Sequence, residues 1–69
     1  MSTSIEQQNQ NKKIIIDILH RNNSKLTLIE LKQQCKLPNI YFFQALDTLE
    51  KEKSIQHEIS EGDTLIQLL

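Results

Sequence analysis

Between Leu37 and Ile55 the chain reads LPNIYFFQALDTLEKEKSI, with Phe42, Ala45, Leu46 and Leu49 at i, i+3, i+4 and i+7. That spacing lays four apolar side chains along one helical face. It predicts a helix that Pro38-Asn39 begins, because proline lacks the N–H that would have no partner there. The helix runs to about Lys53. Upstream, Thr27-Leu28-Ile29-Glu30 has the form of a capping box, in which the Thr hydroxyl and the Glu carboxylate each satisfy a free amide. It opens a shorter helix that buries Leu31 and Cys35, with Leu28 at its start and Leu37 as the apolar residue of the following turn. Downstream, Ile55, His57 and Ile59 alternate on one strand and Leu65 to Leu69 returns as another. Ser60-Glu61-Gly62-Asp63 turns between them, with the chain's only Gly where a positive φ is needed.

The N-terminal third is less regular. From Lys12 to Arg21 a helix is predicted with Ile15, Ile18 and Leu19 as its core stripe and Ile14 or Ile16 on its margins. Three β-branched isoleucines in a row weaken helix propensity, but Asp17, Leu19 and His20 break the alternation of a strand. Residues 1–11 are polar and rich in Gln and Asn. They form either a frayed tail or a helix extension starting as early as Ile5, for which Ser4 and Gln7 supply a second capping box. Asn22-Asn23-Ser24 stops the helix, and Leu26 is expected in a very short strand able to pair with the hairpin. The domain proper is thus residues 12–69.

Helix, short connection, longer helix and hairpin together resemble the winged helix-turn-helix superfamily: a small α+β fold of three helices plus a C-terminal β-hairpin wing. Leu26-Thr27 with Leu31, and Ala45-Leu46 with Leu49-Glu50 and Ile55, carry the resemblance. Within the superfamily the chain is similar to the C-terminal winged-helix interaction domain of the middle subunit of replication protein A, at Leu26, Leu31-Lys32, Gln44-Ala45, Leu49 and Glu61-Gly62-Asp63. That resemblance implies a domain that docks partner proteins instead of reading a duplex. Two departures from DNA-binding members point the same way. Asp47 and Thr48 stand at positions that are often basic, and Lys53 replaces a usual Gly.

Charge sharpens this picture. The net charge of −1 conceals two unlike halves. Residues 1–38 hold six cations and three carboxylates, a net of +3, whereas residues 39–69 hold two lysines and six carboxylates, a net of −4. Duplex readers concentrate Lys and Arg on the groove-facing helix and wing, where they neutralise phosphates. Here those elements carry Asp47, Glu50, Glu52, Glu58, Glu61 and Asp63.

Length and composition remove most chemistry. A chain of 69 residues buries only about 60% of its unfolded surface, which leaves little for a small-molecule pocket. His20 and His57 lie far apart, and no second Cys joins Cys35 in metal-ligand spacing. Cys35 occupies a helix core position with no activating neighbour, and a single Gly makes no phosphate loop. The expectation is a non-catalytic protein with no cofactor, metal or small-molecule substrate. One Cys, no signal-peptide pattern and no long apolar run predict an intracellular, cytoplasmic protein (nuclear in a eukaryote) without membrane contact.

What remains is surface. Tyr41 and Phe43 flank the core residue Phe42, and one helix face cannot bury all three. Ile29, between core positions Leu28 and Leu31, should point outward. With Gln44 and Asp47 these residues form the predicted partner-binding site, since exposed aromatics dominate interface energy. If nucleic acid is bound, its backbone is expected at Lys12, Lys13, Lys25, Lys32 and Lys36. The leading expectation is an accessory subunit docking on a larger replication or transcription protein, possible single-stranded DNA binding being secondary. The rival is a sequence-specific duplex-binding regulator that inserts Tyr41, Gln44 and Thr48 into a groove. A third reading stacks single-stranded bases on Tyr41 and Phe43.

Overall fold

The computed structural model describes residues 5–69. In chain order the elements are α1 (Ile5–Arg21), β1 (Lys25–Thr27), α2 (Leu28–Cys35), α3 (Asn39–Lys51), β2 (Ile55–Ser60) and β3 (Asp63–Leu68). This is the winged helix-turn-helix arrangement. The strands form one antiparallel sheet in the order β1-β3-β2, so the short strand closes one side of the hairpin through Leu26 opposite Ile66.

The central expectation holds residue by residue. Phe42, Ala45, Leu46 and Leu49 are the buried residues of α3. They share a core with Ile15 and Leu19 of α1, Leu31 and Cys35 of α2, and Leu26, Ile55 and Ile66 of the sheet. Phe42 is fully buried. Truncating a ring in such a site costs about 3–5 kcal/mol, a large share of what so small a domain possesses.

Local chemistry sets the boundaries. The Glu30 N–H donates to Thr27 Oγ1 at 3.2 Å, which is the amide half of the predicted capping box. α3 begins one residue later than proline at its first helical position would require. Pro38 is the N-cap instead, and its carbonyl accepts from the Phe42 N–H at 2.9 Å. The helix also ends earlier than expected, at Lys51. The Ser54 N–H returns to the Leu49 carbonyl at 2.9 Å, and Lys53 takes the left-handed conformation with φ 62°. Lys53, expected from the sequence resemblance to replace a Gly, thus adopts the backbone geometry that favours Gly.

At the N-terminus α1 includes residues 5–11. Asn11, expected in a tail or extension, is buried and its Oδ1 accepts from Gln7 Nε2 at 3.0 Å. Ser4, on which the first capping box rests, lies outside the described residues. Ile18 is only partly buried, packing on the edge of the core that Ile15 and Leu19 fill, because the stripe shifts toward Asn11 as α1 crosses α3. β3 starts at Asp63, two residues before the expected Leu65, because the hairpin closes through only Glu61 and Gly62. Both have positive φ, 46° and 86°, as a two-residue primed turn requires.

Two predictions follow from this packing. Holding Lys53 at positive φ costs about 1–2 kcal/mol relative to a residue without a Cβ, offset in part by the greater unfolded-state freedom of Gly. Lys53→Gly should therefore raise stability by about 0.5–1 kcal/mol, read as a higher urea midpoint at unchanged slope. The second concerns Cys35. Burial pushes its thiol from the ordinary 9.0 up to about 11, since the thiolate is disfavoured away from water. The unfolded chain then ionises first, so this contribution is intact below pH 9 and is lost as pH rises toward 11. A urea titration series across that window should show a fall in wild-type stability that Cys35→Ala lacks.

Candidate partner-docking face

α3 has three exposed aspects, and its neighbours define them. On one flank Tyr41, Gln44 and Thr48 border a narrow cleft with Gln8, Asn11 and Lys12 of α1. Thr48 Oγ1 donates to the Gln44 carbonyl at 3.0 Å, so its hydroxyl is turned onto its own helix. The three residues proposed to enter a DNA groove therefore line the α1–α3 seam. On the opposite flank a Glu50 carboxylate oxygen lies 2.6 Å from His57 Nδ1, bringing α3 against the wing. Between the flanks, at about 100° per residue, Ile40, Asp47 and Lys51 point away from the buried stripe. Ile40 is 76% exposed, and Asp47 pairs with Lys51 one turn on at 3.0 Å.

Phe43 lies toward α2. Its ring meets that of Phe42 edge-on at 5.2 Å between centroids, and the Lys32 ammonium sits 5.8 Å from its centroid. Ile29 is three residues before Lys32 and so shares that face of α2. It also borders a shallow groove with Gly62, Asp63 and Thr64 of the wing. Ile59, opposite Thr64 in the hairpin, is 75% exposed. A strip thus runs from Phe43 past Lys32 and Ile29 to Ile59. Of the predicted partner-binding residues, the fold joins Ile29 with Phe43 and sets Asp47 beside them on the outer face of α3. It separates Tyr41 and Gln44, which stand on the α1 side.

Ile40 and Ile59 belong to this surface and were not among the sequence candidates. Helical phase could have found Ile40, which sits opposite the midpoint of the Phe42–Leu49 stripe. Ile59 had no comparable signal. It shares the inward face of β2 with the buried Ile55, and only the overhang of the wing beyond the helices leaves it bare.

The basic residues do not form one patch. Lys12 is largely covered, its ammonium 3.1 and 3.0 Å from the two carboxylate oxygens of Glu52 just after α3. Lys13 is exposed on α1 with Ile14 and Asp17 around it. Lys25 lies on β1 opposite Gln67, on the sheet face away from Leu26. Lys36 caps α2 in the left-handed region. Of these five only Lys32 adjoins the α3–wing surface, where its ammonium sits over the Phe43 ring; Lys51 of α3 stands there too, paired with Asp47. Around that surface stand Asp47, Glu50, Glu61 and Asp63, all exposed. Among the described residues no three His, Cys, Asp or Glu side chains gather to hold a metal, and no helix is long and apolar enough to cross a membrane.

The chain matches no family model and no curated protein. Among solved structures it is similar to the Zalpha domain of PKZ from Carassius auratus, crystallised in complex with Z-DNA. The superposition covers 90% of this chain and 97% of that one, with a TM-score of 0.72 and 19% sequence identity. At that identity the likeness speaks for architecture, and it agrees with the element order and sheet topology: this chain folds as a winged helix.

Proposed function

We propose that this chain is a non-catalytic winged-helix accessory subunit that docks, through the outer face of α3 and the wing, on a larger nucleic-acid-processing protein of a replication or transcription complex. One observation carries the reading. The surface that a DNA-binding winged helix turns toward phosphates here presents Ile29, Ile40, Phe43 and Ile59, rimmed by carboxylates. Apolar anchors inside a charged rim are the makings of a protein interface, whereas carboxylates at that place repel a phosphate backbone. The sequence resemblance to the interaction domain of the replication protein A middle subunit, carried in part by the acidic turn Glu61-Gly62-Asp63, implies the same role.

The second reading, duplex binding, is favoured by the likeness to a domain crystallised with Z-DNA. It needs cations that α3 and the wing do not offer: Lys51 is paired with Asp47, and Lys53 follows the helix, next to the carboxylate of Glu52 that holds Lys12.

Two measurements separate the readings. Fluorescence anisotropy with a random duplex and with an alternating CG duplex held in the Z form should show binding no tighter than the roughly 10⁻⁴–10⁻⁶ M of non-specific contacts at physiological salt. Nanomolar affinity for either duplex would install the DNA-binding reading. For the docking reading, the partner captured from native lysate should bind the folded Ile29→Ala/Phe43→Ala variant more weakly by at least about 2 kcal/mol. Asp47→Ala should mainly slow association, because rim charges steer encounter more than they hold the complex. Full retention by the folded double variant would place the interface elsewhere.

A further inference from the structure

The hairpin ends in an open edge. In the order β1-β3-β2, β3 is paired on both sides, β1 is a three-residue edge, and β2 is an edge six residues long. The pairing register fixes which of its backbone groups are in use. The Leu69 N–H donates to the Ser54 carbonyl at 3.0 Å, and the ladder continues without a bulge through Gln56–Gln67, Glu58–Leu65 and Ser60–Asp63. Hydrogen-bonded and open pairs alternate in an antiparallel ladder. The amides and carbonyls of Ile55, His57 and Ile59 therefore point away from β3. Natural sheets blunt such an edge with Lys, Pro or a bulge, or by covering it, and β2, IQHEIS, has no Lys, Pro or bulge. His57 and Ile59 are exposed, so at least the outer half of the edge is open.

The side chains beside this edge say what suits it. On the helix-facing side stand the bare Ile59 and, across from His57, the Glu50 carboxylate of α3. On the other side projects Glu58, with Glu61 at the turn. No Lys or Arg lies on β2. Alternate residues of an added strand would meet these two sides in turn. An apolar residue would cover Ile59, and its neighbours would lie against Glu58.

We propose that β2 is a strand-addition site whose occupant is an extended segment of the partner protein that alternates basic and apolar residues. The inference rests on the docking reading above and narrows it: the partner supplies a strand, and main-chain hydrogen bonds to His57 and Ile59 contribute to affinity, as in other cases of sheet augmentation. The carboxylates select a cationic segment over an acidic one by charge complementarity.

The test uses the whole chain and an octapeptide of alternating lysine and valine, capped at both ends, followed by amide NMR. On saturation the His57 and Ile59 amides should exchange with solvent at least about tenfold more slowly. A peptide of the same sequence with alternate backbone nitrogens methylated keeps the charge but loses the donors of one edge. It should bind at least about tenfold more weakly, as should an alternating aspartate-valine peptide. Ile59→Pro, tolerated at an outward-facing edge position, should stay folded and bind weakly, and the methylated peptide serves as the control if that variant does not fold. Equal binding of the methylated peptide, or shifts confined to Ile40 and Phe43 with the β2 amides unprotected, would overturn strand addition while leaving docking at α3 in place. Absence of binding at millimolar peptide would also overturn it. Strand pairing with a second copy, seen as the same amide protection rising with protein concentration and no peptide present, would overturn the proposed occupant.

Discussion

The burial of a single stripe on α3 constrains everything else in this domain. Phe42, Ala45, Leu46 and Leu49 occupy the inward face of the helix, and α1, α2 and the sheet each contribute side chains to the core they enter. Because four positions of α3 are committed inward, the phase of the helix is fixed, and with it the identity of every outward residue. Ile40 and Asp47 face away, Tyr41 faces α1, Phe43 faces α2, and Glu50 reaches the wing. The functional surface is the remainder left by the core. Rotating α3 by one residue would expose Phe42 and dismantle both.

Electrostatics decides what that remainder can meet. The fold places α3 and the wing as a DNA-binding winged helix would, and a chain of similar architecture is known with Z-DNA bound. The two chains share an architecture, and the carboxylates on the α3–wing face of this one are unfavourable neighbours for a phosphate backbone. The cations available to a phosphate backbone are dispersed or engaged: Lys12 with Glu52, Lys51 with Asp47, Lys32 against the ring of Phe43. Exposed pairs of this kind contribute little to stability. Two of them, Lys51 with Asp47 and Lys32 with Phe43, lie on the α3–wing face, so the positive charge there already has a partner.

Much of the fold was legible in the sequence because helices and hairpins announce themselves by period. The stripe of α3, the Thr27 cap, the Leu26 strand and the Gly62 turn each follow from side-chain spacing or from one residue's backbone preference. The errors are of two physical kinds. Element ends moved by one or two residues where backbone hydrogen bonds, invisible in composition, closed the turn, as at Ser54 after α3. Burial was misjudged at Ile18, expected in the core stripe of α1 but only partly covered, and period alone carried no statement on the burial of Ile59. Ile59 alternates in phase with Ile55, yet one is bare and the other covered, because the wing outreaches the helices. The same limit applied to the candidate site. Period alone placed Tyr41, Phe43 and Ile29 outward, but only the assembled fold shows that Ile29 and Phe43 meet across Lys32 while Tyr41 turns toward α1.

On the docking reading proposed above, the charge of the α3–wing face, and not the architecture, disfavours a duplex there. Charge reversal tests it most directly: Asp47→Lys combined with Glu61→Lys alters the α3–wing surface at two exposed positions and leaves the core untouched. Titrated against a random duplex at low salt, the folded double variant should bind at least about tenfold more tightly than wild type, with a steeper salt dependence from the added phosphate contacts. Equal affinity and equal salt slope for the two proteins would contradict the account, because the α3–wing face would then not be where the duplex is admitted or refused.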